Sequence, residues 1–128
     1  MKTGKPDAVV RAVIEAALAK NAEDVVALDV RETCGFADTF VICHGASTRQ
    51  VQTIAAAIIE ALRAHGRKAH HVEGEAKAEW VLIDCLSLIV HVFHKDRRRF
   101  FSLERLWGDA PRLELGEEST GAPLAPAE

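Results

Sequence analysis

The sequence predicts one α/β domain built on a mixed five-stranded sheet with about three helices, in the order αββαβββα. Three observations predict it: two long stretches repeat apolar residues at helical spacing, five short runs are rich in β-branched residues, and the last three of those runs have no helix between them. Strict strand-helix alternation would give an all-parallel sheet, whereas consecutive strands call for antiparallel pairs. With 128 residues, 48% hydrophobic and 27% charged, the chain fits a single core that needs no disulfide or structural metal.

The first helix is expected from about Asp7 to Lys20. Val10, Val13, Ile14, Ala17 and Leu18 share one face, and Asp7 is placed to cap its start. The runs Val25 to Val30 and Phe40 to His44 read as two strands on either side of the turn-prone Thr33, Cys34 and Gly35. A second helix opens at Gly45-Ala46-Ser47, where Ser47 and Gln50 have capping-box spacing and Val51, Ile54, Ala55, Ile58 and Leu62 form a stripe that ends at Gly66. Lys68 to Glu73, Trp80 to Asp84 and Ser87 to Phe93 supply the remaining strands. A third helix follows from about Asp96 to Leu106, with Phe100, Leu103 and Leu106 or Trp107 on one side. Residues 1–115 are therefore expected to form the domain. The Gly, Pro, Ser, Ala and Glu of residues 116–128 offer almost nothing to bury and predict a disordered tail.

Charge and cysteine content narrow the partners. A net charge of −3 argues against non-specific adhesion to nucleic acid and favours a protein partner. Lys95 with Arg97, Arg98 and Arg99 is the one basic cluster; it reads as a solvated helix start or a minor contact with RNA. Cys34, Cys43 and Cys85 are odd in number and lack framework spacing, and no signal-peptide pattern stands at the start, so a reducing cytoplasm is expected. No apolar run approaches the roughly twenty residues that cross a bilayer.

No grouping of residues makes a convincing active site, and no cofactor or metal is expected. His70-His71 and the pair His91 and His94 place their rings on opposite sides of a strand, and no third ligand stands at a metal spacing. Cys43 with His44, or Cys85 with His91, lacks any spacing that would mark a nucleophile and its base. The turn Gly45-Ala46-Ser47 presents free amides at a helix start, where an anion would be welcome. It lacks the glycines and lysine of a P-loop, and Asp29, Asp38 and Asp84 are single acids with no Asp-x-Asp to hold divalent metal. A nucleotide-binding or nucleotidyl-transferring enzyme using this turn is the alternative reading. A capped helix start is the plain one.

Strand four offers a surface instead. Alternation puts Trp80, Leu82 and Asp84 on one face and Val81 and Ile83 on the other, so both faces are apolar. Three helices cover one side of such a sheet and are few for two, which leaves Trp80 either in the core or on a partly open face as a binding anchor.

Five segments, in order, resemble the Iojap family of ribosomal silencing factors. They are Asp29-Val30; Ala37-Asp38-Thr39-Phe40-Val41-Ile42; Gly45-Ala46-Ser47-Thr48-Arg49-Gln50-Val51; His71-Val72-Glu73-Gly74 with Glu79-Trp80-Val81-Leu82-Ile83-Asp84; and Val90-His91-Val92-Phe93 with Phe101 and the run Leu103 to Pro111. Together they span about residues 7 to 113. The resemblance implies a nucleotidyltransferase-like fold without catalytic acids, and a protein that is not an enzyme. It further implies a repressor that binds large-subunit ribosomal protein fourteen on the 50S subunit and sterically blocks subunit joining under nutrient limitation. The implied partner surface lies on the strand carrying Trp80, with Leu82 and Asp84 on its face, and His71 and Val90 are counted with them. The same apolar face suits a homodimer of the free protein. The chain departs from the family pattern at Thr39, where an aromatic is usual, and at Phe101, where a tyrosine is usual. Cys85-Leu86-Ser87 stands in place of an aromatic-glycine-acid turn.

Overall fold

A computed structural model of the chain describes residues 7–32, 37–97 and Leu113. Within it, α1 (Ala8–Ala19), β1 (Glu23–Asp29), β2 (Thr39–Gly45), α2 (Thr48–Ala64), β3 (His71–Glu73), β4 (Trp80–Cys85) and β5 (Leu88–His94) follow in the expected order. Residues 95–97 are helical, where the third helix is expected to begin. The rest of that expected helix, the Leu103 to Pro111 run, Cys34, Arg98, Arg99, Phe101 and the tail 116–128 lie outside the described residues.

Local chemistry sets the helix boundaries. The Asp7 carboxylate accepts from the Val10 amide at 2.9 Å, and the Ser47 hydroxyl accepts from the Gln50 amide at 3.1 Å. Each cap satisfies a donor that the first turn would otherwise leave orphaned. The stripe Val51, Ile54, Ala55, Ile58 and Leu62 is buried, and Gly66 leaves the helix at φ +73°.

The strands form one sheet in the order β1-β2-β5-β4-β3. Its centre is the parallel pair β2 and β5, and the pairs β1 with β2, β5 with β4 and β4 with β3 are antiparallel. The connection from β4 to β5 is a tight turn through Leu86 and Ser87, closing on the pair Cys85 and Leu88.

Each face of the sheet carries its own apolar cluster. On the first, α1 and α2 pack over Val25, Ala27, Val41, Cys43, Val81, Ile83, Val90 and Val92. The second joins Val26, Leu28, Val30, Ala37, Phe40, Ile42, Ile89 and Phe93, with Trp80 and Leu82 packed against it, and contains no residue of α1 or α2. The second face is deeply buried at Val26, Leu28, Phe40, Ile42, Ile89 and Phe93 and is partly exposed along β4 and β3 and at Glu23, where β1 begins. The open part that carries Trp80 and Leu82 lies at the β4–β3 end of the sheet. Among the described residues, no helix is long and apolar enough to cross a membrane.

Candidate functional site

Cross-strand register assembles a strip on the second face. Trp80 stands opposite Phe93, Leu82 opposite His91, and Asp84 opposite Ile89. On the other flank, His71 faces Asp84 and Glu73 faces Leu82. Side chains directly opposite in an antiparallel pair share a face, so His71, Glu73, Trp80, Leu82 and Asp84 form one continuous surface. Trp80, Leu82 and Asp84 are half-buried, while His71 and Glu73 are exposed and hydrogen-bonded to each other at 2.6 Å.

Val90 does not belong to this strip. Alternation along β5 turns it to the opposite face, where it stands between Val41 and Ile83 beneath the helices with 0% of its surface exposed. Apart from His91, which is itself buried, the interior of β5 is apolar on both faces, so sequence periodicity does not separate its inner from its outer side.

The residue that sequence reasoning missed is His91. Its Nδ1 accepts a hydrogen bond from the Trp80 indole N–H at 3.2 Å, and its ring lies edge-on to Phe40 at 5.0 Å and parallel to Phe93 at 6.4 Å. Trp80 in turn stacks on Phe93 at 5.1 Å, a separation at which offset aromatic pairs attract beyond their burial alone. His91 is buried, and its Nε2 has no hydrogen-bond partner among the described residues. Burial without a charge partner pushes its pKa down to about 4, so the imidazole is neutral at physiological pH. A usable signal was present in the sequence. A two-residue turn at Leu86-Ser87 fixes Cys85 against Leu88, and counting back from there sets Leu82 against His91 and Trp80 one step diagonal to it.

The backbone around Trp80 is equally specified. Gly74 has φ +87°, and a Cβ there would stand 2.1 Å from the Trp80 carbonyl oxygen. The loop closes when the Ala78 amide donates to the Gly74 carbonyl at 2.9 Å, and Gln52 of α2 donates to the Glu75 carbonyl at 3.0 Å. On the far side, the Asp84 carboxylate accepts from the Leu86 amide at 2.9 Å.

The turn at the start of α2 has a structural role. The Ala46 amide donates to the Gln50 side chain at 2.7 Å, and the Gln50 amide is taken by Ser47. The other end of the Gln50 side chain donates to the Lys20 and Asn21 carbonyls at 3.1 Å, tying α2 to the end of α1. Gly45 is tightly enclosed, because a Cβ would stand 3.2 Å from both Ile54 and the Val51 amide. The acids do not converge either. Asp29 is held by Arg31 through Nε and a terminal nitrogen at 3.0 and 2.6 Å, at one edge of the sheet, whereas Asp84 lies on β4 near the other. Among the described residues, no group of three His, Cys, Asp or Glu side chains could hold a metal ion.

A mixed five-stranded sheet with two helices packed over one face, and a partly exposed strip around Trp80 on the other, makes this an α/β domain. Residues 3–127 match the family model described as ribosomal silencing factor during starvation. The chain is 49% identical over 96 residues to the ribosomal silencing factor RsfS of Halalkalibacterium halodurans, covering 75% of this chain and 82% of that protein. It is 48% identical over 96 residues to the RsfS of Bacillus subtilis, covering 75% and 81%. A crystal structure of a protein from Bacillus halodurans superposes with a TM-score of 0.74 at 41% identity, over 84% of this chain and 97% of that one. The chain belongs to the ribosomal silencing factor family.

Proposed function

We propose that this protein represses translation in the cytoplasm by docking on the large ribosomal subunit through the strip of His71, Trp80, Leu82 and Asp84. The partner is large-subunit ribosomal protein fourteen, and the bound protein keeps the small subunit from joining by occupying its space when nutrients are short. It acts by binding alone, with no catalytic step. The basic run that begins at Lys95 adds a minor contact with ribosomal RNA, and a homodimer of the free protein would use the same strip.

Family membership supports the ribosomal role. The observation that carries the choice of surface is the half-buried Trp80, backed by Phe93 and His91 where the second face is partly exposed along β4. Tryptophans held this way at the centre of an interface typically contribute about 2 kcal/mol or more to binding. The test is co-sedimentation with isolated large subunits on sucrose gradients. Trp80→Ala should keep the native circular dichroism spectrum and lose at least about tenfold in affinity. Undiminished co-sedimentation of that variant would remove the strip as the docking surface.

A further inference from the structure

We propose that His91 is a positioning residue for the Trp80 anchor: its Nδ1, by accepting the indole N–H, holds the ring in the one orientation that a partner can engage. The inference rests on the Trp80 strip being the docking surface, and it adds a buried polar support beneath the aromatic anchor of that strip.

The geometry favours this role over that of a simple core histidine. A buried histidine usually satisfies both ring nitrogens, yet here Nε2 has no partner among the described residues and only Nδ1 is engaged. Within the described residues, the bond to Trp80 is the polar contact that the ring makes. Because Nδ1 accepts, the proton of the neutral imidazole must sit on Nε2, so the indole also selects the tautomer. Phe40 and Phe93 hold the imidazole at 5.0 and 6.4 Å, and Phe93 also stacks on the indole at 5.1 Å. The bond therefore joins two rings whose positions share a support, and it fixes which edge of the indole points inward. An indole ordered in the free protein has less rotational freedom left to lose on binding, so the bond should appear in affinity more than in stability.

The test compares two substitutions of nearly equal shape. His91→Leu removes the acceptor, while His91→Asn keeps an oxygen near the position of Nδ1; both lose the same ring packing. Affinity for isolated large subunits should fall about tenfold in His91→Leu and recover to within about threefold of the wild type in His91→Asn. In a Trp80→Phe background, which has no indole N–H, the difference between the two should vanish. Equal affinities for His91→Leu and His91→Asn, or a difference that persists in the Trp80→Phe background, would overturn the positioning role. If Trp80→Ala itself binds normally, the docking surface is wrong and this proposal falls with it; loss of binding in Trp80→Ala beside equal His91 variants rejects the positioning role alone. One measurement needs no variant. Nitrogen-15 NMR of the intact protein should find His91 protonated at Nε2 and the Trp80 indole proton hydrogen-bonded, and the opposite tautomer would contradict the proposal even if a variant failed to fold.

Discussion

His91 is buried, and among the described residues only one of its ring nitrogens has a hydrogen-bond partner; the burial has a consequence for acid stability. Its pKa is about 4 in the folded protein because burial disfavours the cation, against an ordinary 6.5 in the unfolded chain. Above pH 6.5 both states are neutral at this ring and stability is indifferent to it. As the pH falls from 6.5 towards 4 the unfolded chain takes up the proton first, so stability is lost across that window, by about 3 kcal/mol in all. Urea unfolding of the wild type and of His91→Asn at pH 7 and pH 4 checks this, since the variant should lose less on acidification. A second residue carries local strain. Leu86 sits at φ +64° at the first turn position of the β4–β5 hairpin, with 61% of its surface exposed. Glycine adopts that conformation without steric cost, and Leu86 has little burial to forfeit. Leu86→Gly should therefore raise stability by about 1 kcal/mol and the melting temperature by roughly 4 °C, as read by calorimetry.

The loop between β3 and β4 depends on one glycine more than any other connection described. Gly74→Ala would drive a methyl into the Trp80 carbonyl and force a positive φ on alanine, so both the turn and the start of β4 must move. The expected cost exceeds about 2 kcal/mol in thermal unfolding. A native-like melting temperature would show that the loop can rebuild itself. Much of this level is legible in the sequence. The caps Asp7 and Ser47 and the buried stripe of α2 follow from spacing and side-chain chemistry that act within a turn or two. What depends on distant partners is not. The sequence predicts the third strand from Lys68, but it pairs regularly only from His71, because its partner β4 turns away after Cys85 and leaves residues 68–70 little to pair with. Val90 lies on the face opposite to the one expected because β5 is largely apolar on both sides, and the place of His91 beside the indole emerges only when the Leu86-Ser87 turn is used to set the β4–β5 register, not from any local spacing. The strip of Trp80, Leu82 and Asp84 is readable from period-two alternation, whereas its confinement to one end of the second face is set by burial that no local pattern records.

For the whole molecule, the proposed mechanism asks only that it occupy space, so its prediction is a matter of assembly. Separated subunits mixed under conditions that normally reunite them should remain as two gradient peaks when the protein is present in excess over large subunits. A normal yield of joined ribosomes despite saturating binding would reject obstruction while leaving the docking strip in place. The sheet order also bears on when such a molecule first becomes whole. β5 lies between β2 and β4 although it is the last strand among the described residues, and its parallel partner β2 is separated from it by α2, β3 and β4. Until it is available, β1 with β2 and β3 with β4 are two hairpins with no ladder between them. During synthesis, then, the indole gains its stacking partner and its hydrogen-bond acceptor only once β5 has been made, so the strip proposed for docking takes its shape later than the strand that carries it.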